Sequence, residues 1–146
     1  MCEAGKRRRC DPLMAYIPAL HTMASRYGRG RQIVVYFATD TESVRDELLD
    51  ARVALHNYTW LIRPTVRRQW PEDAHTRLQV ETALLQKRVD GYTEMVDVLV
   101  DMLLLAETDV LVGKFSSNLD RLVYALMANA RRGSVCLPPF VSLDHP

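Results

Sequence analysis

The chain has 146 residues, 48% of them hydrophobic, which suits one ordinary domain with a single core and argues against a second. Its 19 lysines and arginines nearly balance 18 acids, so a formal net charge of +1 sets up no field that would draw the molecule to nucleic acid or an anionic membrane. Three cysteines, Cys2, Cys10 and Cys136, are too few for a disulfide framework, and no apolar run nears the roughly 20 residues that cross a bilayer.

The first eleven residues carry the densest basic cluster, Lys6-Arg7-Arg8-Arg9. It has the composition of an import or polyanion patch, although four such residues in a loop-like stretch are more often a solvated run. Cys2 and Cys10 flank a short polar segment that they could close in an oxidising lumen, and no apolar stretch of a signal peptide accompanies them. A helix is predicted over residues 12–27, opened by Pro12 and ended by Gly28, with Pro18 as an internal obstacle.

Residues 33–38, Ile-Val-Val-Tyr-Phe-Ala, form an unbroken apolar run rich in β-branched and aromatic side chains, as expected of a strand buried on both faces. Thr39 and Glu42 have capping-box spacing, and the helix they open carries Val44, Leu48, Ala51 and Leu55 on one face. A second short strand is predicted at Thr59–Ile62, followed by a polar loop from Arg63 to His75 with prolines at 64 and 71. A polar helix near 76–89 leads to Gly91. The next helix, through Met95, Leu99, Met102 and Ala106, is apolar on most sides and should lie deep.

A third strand is predicted at 109–115, and from Ser117 a helix presents Leu119, Leu122, Val123, Leu126 and Met127 on one side. The tail from Arg131 through Pro138 and Pro139 reads as irregular. Alternating strands and helices imply one α/β domain over residues 1–146, with strands near 33–38, 59–62 and 109–114 in a single parallel sheet and helices on both faces.

In open α/β sheets, ligands collect beyond the carboxyl ends of the strands. Asp40 and the pair Ser116-Ser117 sit at two such ends. The segment Phe115-Ser116-Ser117-Asn118 joins a strand to a helix, so its hydroxyls and backbone N–H groups could receive a phosphate. The plainer reading, an N-cap at Ser117 supported by Asp120, is favoured by local sequence alone. Asp101 stands among Val98, Leu99, Val100, Met102, Leu103, Leu104 and Leu105, where an ionised carboxylate needs donors. Its two oxygens match paired N–H donors such as the guanine N1 and N2 edge. A solvated acidic stripe with Glu94 and Asp97 is an equal alternative. No metal-ligand spacing, phosphate-binding Gly-rich loop or nucleophile elbow occurs.

Three ordered blocks, Tyr-Phe-Ala-Thr-Asp at 36–40, Val-Asp-Met-Leu-Leu-Leu-Ala-Glu-Thr-Asp at 100–109 and Lys-Phe-Ser-Ser-Asn at 114–118, resemble the α1,6-fucosyltransferase family. Residues 121–127 extend the resemblance, whose order and spacing run from about Pro12 to Asp144. It implies the Rossmann-like donor lobe of a two-lobe glycosyltransferase that takes fucose from GDP-fucose without a metal. The implied acceptor is the innermost N-acetylglucosamine of a glycoprotein N-glycan, and the implied compartment is the Golgi lumen. Asp101 then corresponds to the guanine-binding Asp, Ser116 and Ser117 to the donor-site serine pair, Asp40 to the first Asp of an acidic pair, and Tyr16 to a donor-site Tyr.

Thr41 stands where the family has its second acid, and Asn118 stands where it has Gln. The family's His-x-Arg strand, whose Arg holds the pyrophosphate, matches nothing in residues 1–146, and Glu3 does not align as a base. The expectation is therefore an incomplete enzyme with donor contacts and no assigned catalytic residue. The alternative is a non-catalytic α/β binding or interaction module on the same fold.

Overall fold

A computed structural model of the chain describes residues 12–39, 42–51, 55, 57–63, 85, 90–131 and 136–144. The basic cluster, Cys2, Cys10, Asp40, Thr41, the loop beyond Arg63 and nearly all of the helix predicted near 76–89 lie outside the described residues.

Helix α1 (Leu13–Tyr27) begins after Pro12, whose extended backbone forms the N-cap, and ends at Gly28. Pro18 does not divide it: the ring lies early in the helix on an exposed side, and the Thr22 hydroxyl bonds back to the Pro18 carbonyl at 2.9 Å. Gly28 is required by close approach, because a Cβ there would meet the Ala24 carbonyl oxygen at 2.5 Å and the Ile33 side chain at 2.6 Å. Strand β1 (Ile33–Phe37), helix α2 (Glu42–Ala51) and strand β2 (Tyr58–Ile62) follow. The strands pair in parallel from Ile33 opposite Tyr58 to Phe37 opposite Ile62, making a β-α-β unit. Leu13 and Ile17 from α1, Leu48 from α2 and Leu55 just beyond it form the first core cluster, against which Phe37, Val44, Tyr58, Trp60 and Ile62 pack.

Helix α3 (Gly91–Ala106) is capped by Asp90, whose carboxylate accepts from the backbone N–H groups of Tyr92 and Thr93. Strand β3 (Leu111–Gly113), helix α4 (Asn118–Ala130) and strand β4 (Phe140–Ser142) complete the described elements. Met102, Leu111, Val123 and Met127 form a second cluster, joined by Val98, Leu105, Ala106, Tyr124, Leu126 and Phe140.

The described residues form an α/β architecture whose strand pairings are parallel, but it differs from the single sheet expected of the sequence. Among the described residues there are two two-stranded sheets, β1 with β2 and β3 with β4. Strand β3 pairs with the tail that reads as irregular, extending the ladder through Leu111 N–H to the Pro139 carbonyl at 3.0 Å and Leu143 N–H to the Gly113 carbonyl at 2.9 Å. A three-residue strand directly after two prolines has too short a period to register in sequence. Helix α3 also lies less deep than its composition predicts: Tyr92 is 72% exposed, Leu99 46% and Leu103 59%. Only its Val98–Met102–Leu105 side faces the second cluster.

Candidate functional site

Asp101, in the third turn of α3, is 6% exposed, so the solvated acidic stripe is not what forms. Its donors come from the carboxyl ends of β1 and β2. The Tyr36 hydroxyl donates to Asp101 Oδ1 at 2.6 Å, and Arg63 Nη1 donates to the same oxygen at 2.9 Å. Arg63 follows β2 directly and also spans the preceding turn of α3, donating from Nη1 to the Asp97 carbonyl at 2.9 Å and from Nη2 to Asp97 Oδ1 at 2.5 Å. Spacing of four puts Asp97 and Asp101 on one face of the helix, where a planar guanidinium reaches both.

Burial raises the Tyr36 pKa, and the hydrogen bond to Asp101 adds to that shift, so the phenol stays protonated and donating. Burial opposes the charge on Arg63, but its hydrogen bonds to Asp97 and then Asp101 outweigh that effect and raise its pKa. The cluster thus joins one arginine to two carboxylates and a neutral phenol. It ties the β1–β2 unit to α3, and with it the two core clusters.

The second candidate region is the β3–α4 turn. Ser117 is the N-cap of α4, its Oγ accepting from Asp120 N–H at 3.2 Å. Only half of a capping box forms, because Asp120 Oδ2 turns to Lys114 N–H at 2.6 Å while Ser117 N–H bonds the Lys114 carbonyl. Gly113 permits this approach: a Cβ there would stand 2.6 Å from Asp120 Oδ2. Burial raises the Asp120 pKa against the lowering effect of the Lys114 bond.

The amides expected to hold a phosphate already hold a carboxylate. Phe115 N–H donates to Asp144 Oδ1 at 3.0 Å and to Ser142 Oγ at 2.9 Å, and Ser116 N–H donates to Asp144 Oδ2 at 2.8 Å. The Ser142 hydroxyl also donates to Asp144. Bonds from the Ser116 and Ser142 side chains, ahead of the backbone amides, hold the Asp144 carboxyl well below the usual carboxylate range.

Of the residues singled out in the sequence, Tyr16 lies half-buried on α1 beside Ile17, and Asp40 falls outside the described residues. Exposed Asn118 accepts a hydrogen bond from Arg121. Sequence reasoning missed Tyr36 and Arg63 as partners of Asp101, Asp97 as the second carboxylate on Arg63, and Asp144 as the occupant of the turn. The i, i+4 spacing of Asp97 and Asp101 was a usable signal for a bridging cation, whereas nothing local marked Asp144. Among the described residues, no group of three His, Cys, Asp or Glu side chains converges as a metal site. No helix among them is long and apolar enough to cross a membrane. No protein-family model and no curated protein matches the chain.

Proposed function

We propose that the chain is a Rossmann-like donor-nucleotide lobe of a fucosyltransferase-type glycosyltransferase, binding GDP-fucose for transfer in α1,6 linkage to the N-acetylglucosamine of a glycoprotein N-glycan in the Golgi lumen. The observation that carries the reading is Asp101. The residue that resembles the family's guanine-binding Asp is a buried carboxylate facing the carboxyl ends of two parallel strands, where α/β sheets collect nucleotides.

Topology supports the same reading. The pairs β1-β2 and β3-β4 are both parallel, as the strands of a doubly wound sheet are. Strand β1 is an apolar run without the Pro or Lys that protects an edge, whereas β4 follows Pro138 and Pro139. In this reading Ser117 and the α4 terminus contribute to phosphate binding, with Ser116, Asn118, Asp40 and Tyr16 as further donor contacts. Chemistry needs the cationic pyrophosphate contact that no residue of 1–146 matches.

The test is calorimetry of the purified chain with GDP and ADP, followed by incubation with GDP-fucose and an N-glycan acceptor. GDP is expected to bind at least about tenfold tighter than ADP, since adenine presents an acceptor where guanine presents a donor. Asp101→Asn removes that preference, and no fucosylated product forms. Equal affinity for the two nucleotides rejects the base assignment, and turnover by the chain alone rejects the need for that pyrophosphate contact. The second reading, a non-catalytic interaction module, draws on one observation: Asp101 and the Phe115–Ser116 amides are engaged by the chain's own groups.

A further inference from the structure

We infer that the chain closes its own donor site, with the Arg63 guanidinium seated on Asp101 where a base edge would sit and the Asp144 carboxylate seated on the Phe115 and Ser116 amides where a phosphate would sit. The inference rests on the reading of those two positions as donor contacts and adds that a donor enters only by displacing Asp144 from the turn amides and one of the two donors, Arg63 or Tyr36, from Asp101.

Each occupant has the chemistry of the group it replaces. A guanidinium, like the guanine N1–N2 edge, is a planar array of N–H donors. Arg63 Nη1 and the Tyr36 hydroxyl both end on Asp101 Oδ1, at 2.9 and 2.6 Å. One carboxylate oxygen has two lone pairs, so these donors use both of them. A base edge bonding to both oxygens of Asp101 must therefore displace one of the two.

At the turn, a carboxylate whose two oxygens accept from consecutive amides, at 3.0 and 2.8 Å, presents the same acceptor pair as two phosphate oxygens. Both occupants come from outside the motifs they block: Arg63 lies 38 residues before Asp101, and Asp144 lies 28 residues after Ser116. Asp144 stands just beyond β4, whose neighbouring Leu143 N–H extends the ladder to Gly113. Releasing it therefore loosens the end of that strand.

Self-occupation reverses the usual sign of a mutation. Removing a residue that supports a site weakens its ligand, whereas removing one that competes with the ligand strengthens binding. The experiment is calorimetry on the whole chain with three probes: guanosine, inorganic pyrophosphate and GDP. Asp144→Asn is expected to raise pyrophosphate and GDP affinity by about tenfold, one charge-assisted contact's worth, with guanosine unchanged. Arg63→Lys, which keeps the charge and loses the planar fork, is expected to raise guanosine and GDP affinity by a similar factor with pyrophosphate unchanged.

Where either variant does not fold, Ser142→Ala loosens Asp144 and Tyr36→Phe removes one donor from Asp101 Oδ1, with the same expected pattern. Unchanged or weaker binding in folded variants overturns the inference. If the wild-type chain nevertheless prefers GDP to ADP and Asp101→Asn abolishes the preference, the donor-lobe reading stands without it. Failure of every probe to bind wild type and variants overturns both.

Discussion

Replacing Asp101 by alanine leaves the Arg63 guanidinium with Asp97 alone and strips Tyr36 of its acceptor. Breaking a largely buried ion pair from one side typically costs about 3 kcal/mol or more, so Asp101→Ala should unfold at markedly lower urea concentration. Asp101→Asn keeps an acceptor oxygen and should lose less. That difference makes asparagine the sounder probe of base recognition, because alanine confounds binding with stability.

The carboxylates around the turn pull in opposite directions. The folded pKa of Asp144 lies below its unfolded value, so its contribution to stability is full above the ordinary range, near about pH 4, and is lost as pH falls toward the folded value. The stability difference between wild type and Asp144→Asn should therefore hold at neutral pH and shrink below about pH 4 in urea melts repeated across pH. Asp120 is raised, chiefly by burial, so it favours folding at low pH and that benefit fades as pH rises through its folded pKa. Asp120→Asn removes the fading while retaining an oxygen for Lys114 N–H. Asp120→Ala removes the carboxylate that this amide donates to, with an expected cost of about 1–3 kcal/mol.

At the scale of elements, β3 and α4 meet through Gly113, where a Cβ would press on the Asp120 carboxylate 2.6 Å away. Gly113→Ala should force that carboxylate off Lys114 and destabilise the second cluster by about 1–3 kcal/mol, read as a fall in melting temperature. In Asp120→Ala the side-chain atoms that the added Cβ would meet are gone, so the two effects should be non-additive. A double-mutant cycle measures this.

Across the whole molecule, each two-stranded parallel sheet is small, and the two core clusters share the Arg63 network as a polar link. The exposed side of α3, with Tyr92, Val96, Leu99 and Leu103 at helical spacing, is a continuous apolar stripe. Such surface promotes association. Leu99→Lys with Leu103→Lys should reduce concentration-dependent light scattering while costing less than about 0.5 kcal/mol each in stability, since neither side chain belongs to a core cluster.

Local chemistry in the sequence was sufficient for the elements whose cause is local. Pro12 and Gly28 bound α1, the run from Ile33 to Phe37 makes β1, and Ser117 caps α4, because φ restriction, apolar periodicity and a side-chain oxygen act within a few residues. The parallel pairing of β1 with β2 was legible too, since a helix-length connection joins them. Tertiary structure alone decided that β3 takes β4 as its partner, that α3 leaves one side uncovered, that Arg63 neutralises Asp101 and that Asp144 fills the Phe115–Ser116 turn. These outcomes depend on which distant charges and ladder groups arrive within hydrogen-bond reach, and neither the spacing nor the type of the nearby residues carries that information.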